Sequence, residues 1–291
     1  MKLFMRIFAV FPAAALAGCV VSQQVYIDSA SMSGPMNQPP VHITADSLQD
    51  PVRISPRFSA NNGHRITGQI RSESTLNPSA RHDLTWEVPS YTVGLGLDAG
   101  ISRTVSLFFG GDYGASNANG HWNGYAGIGM HAAGEAMAFR FDAGFTLGSM
   151  SRDVSSIVVT TTEFFGTHTD TGYFHDRGDG SALDFFFAFN VNSKIESWPA
   201  NFFVNAALVR QTLLNFTPST WSEFYPTTAV TRSSADAVYR VTFLSLTPGV
   251  SLRIAEGYTV LVGGRFIAPL DMNDMSPLPT FSPFVQIDFT L

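Results

Sequence analysis

Cysteine is nearly missing from these 291 residues: Cys19 is the one occurrence. A structural disulfide and a paired-cysteine redox centre are therefore excluded within the chain. Charge is scarce too, at 14% of residues, against about 25% in an average soluble protein. The small excess is acidic, a net charge of -6 at pH 7, which argues against nucleic acid as a partner. Beyond the amino terminus no apolar run approaches the roughly 18 residues that a membrane-spanning helix needs. No nucleotide or redox cofactor motif is present, and none is expected to be bound.

What the chain has in abundance is Phe and Gly, 25 of each. Its apolar residues do not run together. They alternate with Gly, Ser, Thr, Asn and an occasional charge, and a period of two belongs to a strand with two unlike faces. In "YTVGLGLDAG" Tyr91, Val93, Leu95, Leu97 and Ala99 share one face, opposite Thr92, Gly94, Gly96, Asp98 and Gly100. The same reading applies to the segments from Val105, around "HWNGYAGIGM", from Met137, and at "ALDFFFAFNVNS" and "NFFVNAALVRQTLLNF". It applies again to "YRVTFLSLTPGVSLRI", "YTVLVGGRFIAPL" and the closing "TFSPFVQIDFTL". With "HRITGQIRSES" at residues 64–74 as the first, the count is about ten, with eight or twelve as the alternatives. The connections sort by parity. Residues 75–90, 150–181, 217–238 and 269–280 are long and 115–121 is the one outward connection that is not; they alternate with 102–103, 132–135, 194–201 and 255–257, each eight residues or fewer. A soluble sandwich has no reason to sort its loops in this way, whereas an outer-membrane barrel has short periplasmic turns and long outer loops. The expected fold is all-β: a transmembrane, antiparallel, up-and-down β-barrel over residues 63–291, with outer hairpins near 150–181 and 217–238.

The first residues carry a second signal. Lys2 and Arg6 precede an apolar stretch from Ile7 to Ala17, and "LAGC" follows. This resembles the lipoprotein signal peptide of bacteria, with its lipobox. The resemblance implies that residues 1–18 are removed and that Cys19 is acylated on its sulfur and new amino group, palmitate being a typical chain. Val20 stands where an aspartate would retain such a protein in the inner membrane, which implies the outer membrane, with the N-terminus anchored on its periplasmic side. Residues 19–62 hold five prolines and are read as a periplasmic tether; a plug folded into the lumen is the alternative. The last strand also resembles the terminal signal read by the barrel-insertion machinery, although it ends in Leu291 with its aromatic at Phe289.

The face opposite the apolar one places Arg65, Arg71, Glu73, Asp98, Asp112, Arg140, Asp142, Asp184, Arg253, Arg265 and Asp288 toward the lumen. An Arg facing lipid at mid-membrane costs about 2–4 kcal/mol, so an interior position is the favourable one. Either these charges pair across a filled interior or they line a narrow pore. Inward Gly94, Gly96, Gly110, Gly144 and Gly263 would make room for the second. His168, Asp170, His175, Asp176 and Asp179 in the long loop lack calcium-loop spacing and read as solvated loop residues. Trp122, Trp221 and Tyr225 read as belt or loop anchors. His175 and Asp176 are adjacent in sequence, and no second carboxylate pair matches the surface proteases of the omptin type. The chain is therefore expected not to be an enzyme. The expected role is a small outer-membrane channel for limited passage of small solutes. One alternative is a closed barrel that binds a partner through its outer loops, and another is a soluble lipoprotein barrel or sandwich. The expected partners are outer-membrane lipid, the insertion machinery and an outer ligand or solute.

Overall fold

The computed structural model describes residues 20–34, 38–43, 52–60, 65–71, 81–116, 119–163, 167–194, 199–216, 230–233, 237–270 and 280–291. Cys19 and Glu73 lie outside them, as do residues 1–18, Trp221 and Tyr225. The strands are β1 (Val20–Ser33), β2 (Val52–Ala60), β3 (Arg65–Arg71), β4 (Arg81–Glu87), β5 (Tyr91–Gly100), β6 (Val105–Ser116) and β7 (Asn119–Ala133). There follow β8 (Met137–Glu163), β9 (Thr167–Ser193), β10 (Ala200–Phe216), β11 (Val230–Ser233), β12 (Ala237–Ala255), β13 (Tyr258–Pro269) and β14 (Thr280–Thr290).

Ten of them close into an antiparallel barrel, in the order β8-β7-β6-β5-β2-β14-β13-β12-β10-β9, and the β8–β9 pairing completes the ring. Period-two alternation makes this wall. Leu95, Phe109, Ile128, Phe185, Phe202 and Val262 project outward and are exposed. Ser106, Asn123, Asp142, Asn205, Thr247 and Gln286 point inward and are buried. An apolar exterior around a polar interior inverts the arrangement of a water-soluble protein and suits a bilayer.

The strand count agrees with the sequence reading, but the first strand does not. Residues 64–74 were expected to open the barrel; β2 does so instead, and β3 stands outside the wall, paired among the described residues with β4 alone. Arg65 and Arg71 therefore sit on a strand of an outer sheet and are not wall positions. Pro56 is the reason β2 is hard to see. Proline cannot donate to a ladder and argues against a central strand, and the β2–β14 register skips from Arg57↔Gln286 to Ile54↔Phe289 around it. The other neighbour, β5, pairs with β2 continuously from Val52 to Ala60.

The two rims differ. On one lie the chain end, where the Leu291 amide donates to the Val52 carbonyl at 3.0 Å, and the short turns at 101–104, 134–136 and 256–257. Gly257 has a φ of 74°, which the two-residue turn between β12 and β13 requires and which a side chain would strain. Short turns mark the periplasmic rim. On the opposite rim β8 and β9 continue upward, pairing without interruption to Glu163↔Thr167.

The amino-terminal segment is where the structure departs most from expectation. β1 does not hang in the periplasm. It runs antiparallel to the outer extension of β8, from Ser33↔Ser151 up to Val20↔Glu163, and is flanked on its other edge by β4 and β11. At about 3.3 Å per residue, that pairing rises about 40 Å along the strand from Ser151. The expected periplasmic position of this segment is thus corrected: residues 20–33 form the centre of a sheet beyond the outer rim. The chain then descends into the barrel. Residues 39–43 are buried inside it, and the periplasmic rim is reached again at Val52. The tether read from the prolines is in fact an outer strand, a lumen segment and the first strand of the wall.

Candidate functional site: the filled lumen and its outer cap

Residues 38–43, "QPPVHI", are held by the wall through both backbone and side chains. Pro39 and Pro40 have no amide hydrogen, so the segment brings chiefly acceptors into the barrel, and the wall supplies donors. Gln286 Nε2 donates to the Val41 carbonyl at 2.8 Å. Arg265 Nη2 donates to the Pro39 carbonyl at 3.4 Å, and its Nη1 to the Gln38 side chain. Arg53 donates to the Ile43 carbonyl. The side chains alternate between two environments. Val41 and Ile43 pack with Phe203, Leu261 and Phe284, while His42 turns to Asp142 and lies 4.9 Å from the Phe108 ring.

His42 joins a buried charge network. His42 Nδ1 donates to Asp142 Oδ2 at 3.0 Å. Arg140 Nε donates to Asp142 Oδ1 at 2.6 Å, while Nη1 and Nη2 donate to Asp98 at 2.6 and 3.0 Å. Asn190 donates to Asp142 and accepts from Asn205. One guanidinium thus bridges two carboxylates on β5 and β8, and the lumen segment binds the second of them. A separate pair joins Arg57 to Asp112 through two hydrogen bonds, with the Arg57 guanidinium 4.6 Å from the Tyr125 ring centre. Asp184 accepts from the Thr212 amide and hydroxyl at 2.8 and 2.7 Å. Asp288 is buried and accepts from Gln286 at 2.8 Å.

Of the residues predicted to line the lumen, Asp98, Asp112, Arg140, Asp142, Asp184, Arg265 and Asp288 are therefore placed inside. Arg253 is not enclosed: it is exposed next to the periplasmic turn, where β12 changes register. His42, Arg53 and Arg57 were missed because they belong to the stretch read as a tether. The inward glycines do not open a pore either. A Cβ at Gly110 would overlap the Tyr125 hydroxyl, one at Gly144 the Phe186 ring and one at Gly263 the Phe284 ring. Their room is already occupied by side chains of neighbouring strands. The space left beside the segment, between Gln38, Arg57, Asp112, Asn123, Arg265 and Gln286, is about 20 Å³, enough for about one water molecule.

The outer mouth is covered along β8, β12 and β13 by apolar contact. Ile27, Ala30 and Met32 of β1 and Leu84 and Trp86 of β4 form one buried cluster with Val154, Val241, Phe243 and Ile267. The Trp86 and Phe243 rings are 5.6 Å apart, so the outer sheet folds down onto the inner faces of β12 and β13. Beyond the cap the hairpin is polar. Arg177 donates to Asp153 at 2.7 Å, and Asp176 lies 3.5 Å from Arg152. His168 and Asp170, 3.2 Å apart, and His175 and Asp179 are exposed along β9.

The charge network carries a stability prediction. Arg140→Ala leaves Asp98 and Asp142 buried beside each other without their common cation, a loss of about 3–5 kcal/mol. Arg253→Ala, at the open rim, should change stability by no more than about 0.5 kcal/mol. Urea unfolding in detergent measures both, and equal effects would refute the interior assignment of Arg140.

The apolar belt, the asymmetric rims and the closed ring together leave one reading. This is an outer-membrane β-barrel. Trp122, Tyr113 and Tyr91 lie exposed near its outer edge, the level at which aromatic girdles sit. No family model and no curated protein matches the chain. Among solved structures it is similar to the translocator domain of the autotransporter NalP from Neisseria meningitidis. That match has 11% identity and a TM-score of 0.36, and covers 84% of this chain and 90% of that one. It is also similar to the outer membrane protease OmpT from Escherichia coli, with 9% identity, a TM-score of 0.41 and coverage of 85% and 99%. For LpxR from Salmonella typhimurium the identity is 7%, the TM-score 0.35 and the coverage 82% and 100%. Similarity at this level concerns barrel architecture and transfers no activity. It does correct the expectation that the chain is not an enzyme: a protease stands among the similar barrels, so this architecture gives no ground for excluding catalysis.

Proposed function

We propose that this barrel is a closed mount for the sheet it raises above the membrane, and that its partner is recognised by that sheet. The observation that carries this reading is the occupied lumen, with residues 39–43 buried against the wall and the mouth above them capped by β1 and β4. A channel for small solutes, the role expected from the sequence, needs a continuous water path, and the arrangement of residues 38–43 works against one. The raised hairpin offers a recognition surface instead. Tyr173, His175 and Arg177 alternate on one face of β9 opposite Ile157, Ser155 and Asp153 of β8, and Tyr173 is 76% exposed. Tyr and Arg are the residue types that most often anchor interfaces.

Planar-bilayer recording tests the reading. Folded protein, identified by heat-modifiable gel mobility, should insert without stable current steps, and regular steps from the unaltered chain would sink it. Acylation of Cys19 is part of the same proposal. It is checked by radiolabelled palmitate incorporation, which Cys19→Ser should abolish.

A further inference from the structure

The lipid-facing wall is apolar over most of its height, with one cationic exception among the described residues. Arg210 on β10 and Arg240 on β12 are both exposed. Both follow the parity of the outward side chains: Arg210 continues the series Phe202, Val204 and Leu208, and Arg240 continues Leu244 and Leu246. The register pairs Arg210 with Thr242 and Thr212 with Arg240. With β10 changing register just beyond, between Thr212 and Leu214, the two exposed arginines are diagonal neighbours, a relation that places residues about 7–8 Å apart. On the other side Arg210 is paired with Phe185.

Their height is informative. From Ala200, at the periplasmic end of β10, to Arg210 is ten residues. At about 3.3 Å each and a tilt near 40°, this is a rise of about 25 Å, the height of the apolar band of such barrels. The pair thus sits where acyl chains give way to headgroups, on the rim that faces outward. Beside and below it the exposed Phe185, Phe187, Leu208, Leu244 and Leu246 form a continuous apolar surface. Among the described residues neither arginine has a carboxylate partner. Two adjacent guanidiniums repel each other, and an anion between them would remove that repulsion. Phosphate suits guanidinium because it can accept two parallel N–H bonds from each fork.

We propose that Arg210 and Arg240 bind the phosphates of an outer-leaflet glycolipid whose acyl chains lie on the Phe185, Phe187, Leu208, Leu244 and Leu246 surface. The ligand class is a phosphorylated, multiply acylated sugar. Free phosphate lacks the acyl chains that the lower surface takes, and a phosphate-free glycolipid lacks the charge that the arginines take.

Native mass spectrometry of the full chain in detergent micelles tests this, with bis-phosphorylated lipid A as the probe. The comparison is with Arg210→Gln/Arg240→Gln, and heat-modifiable mobility confirms that both proteins are folded. The unaltered chain should retain lipid A, and retention should fall about tenfold for each arginine lost. Arg210→Lys/Arg240→Lys should keep part of it. Dephosphorylated lipid A should bind as weakly as lipid A does to the double variant, and inorganic phosphate at millimolar concentration should not displace the glycolipid. Equal retention by the double variant would overturn the proposal, as would equal binding of the dephosphorylated lipid. Displacement by inorganic phosphate would overturn the lipid as the source of the anion.

Discussion

Replacing residues 38–43 by a Gly/Ser segment of equal length should turn a silent barrel into one that conducts. The substitution removes His42 from Asp142 and takes Val41 and Ile43 away from Phe203, Leu261 and Phe284. It also removes Gln38, which Arg265 contacts. What remains is a wall of Arg57, Asp98, Asp112, Arg140, Asp142 and Arg265, in the lower half of the barrel and at its middle. Each of these charges favours water once an apolar neighbour is gone. A Gly/Ser chain has neither the apolar side chains to dock nor the fixed proline backbone to stay extended, so it should sample the lumen rather than fill it. Stable current steps should appear in planar bilayers, and Arg265→Ala in the same background should alter their ion preference, because among the described residues Arg265 has no carboxylate as a hydrogen-bond partner. If the folded variant stays silent, residues 38–43 are not what closes the barrel. The inward rings of Phe108, Tyr125, Phe186, Phe203 and Phe284 would then close it unaided.

The difference between what could and could not be read in advance is one of range along the chain. The wall is local. In β5–β10 and β12–β14 each strand finds its neighbour through a hairpin or short connection, and alternation alone states which side chains face lipid. In β2 the same signal was present: Val52, Ile54 and Phe58 alternate with Arg53, Ser55, Arg57 and Ser59. Pro51 and Pro56 outweighed it, since a local rule about proline says nothing of a ladder continued by the other neighbour. The outer sheet is a harder case. β1, "VVSQQVYIDSASMS", has polar runs on both sides of Val25–Ile27 and no sustained alternation, and its pairing with β8 spans more than a hundred residues of chain. "HRITGQIRSES" has a genuine two-faced pattern, yet such a pattern shows that a strand has unlike sides and not whether those sides are lumen and lipid. Nor does composition tell a lumen segment from a solvated tether. The prolines that suggest irregular chain in water also spare a buried segment two amide donors.

The strand that was hardest to foresee yields the sharpest topological test. A cysteine at Asp28, an exposed position on β1, should react with a membrane-impermeant maleimide on intact cells. A cysteine at Glu135, exposed in a periplasmic turn, should react only after the outer membrane is opened. The expected contrast is close to all or none, because the two positions lie on opposite sides of a bilayer whose apolar core is about 30 Å thick. Three sets of pairings hold β1 in place: with β8 through Ser33↔Ser151, with β4 through Ser29↔Asp83, and with β11 through Val21↔Val230. For β1 to lie in the periplasm all three would have to break, and the cluster of Ile27, Ala30, Met32, Leu84 and Trp86 would have to open to water. Burying a side chain of this size contributes about 1.5–3 kcal/mol, so the outward arrangement is strongly favoured once formed. It also bears on the amino terminus, because an anchor in the periplasmic leaflet just before Val20 would pull β1 away from β8. Labelling of Asp28→Cys from outside would require any acyl anchor at Cys19 to act on the outer side. Protection of Asp28→Cys, with Glu135→Cys behaving as expected, would show that β1 and the lumen segment are withdrawn in the cell and that the barrel there is open.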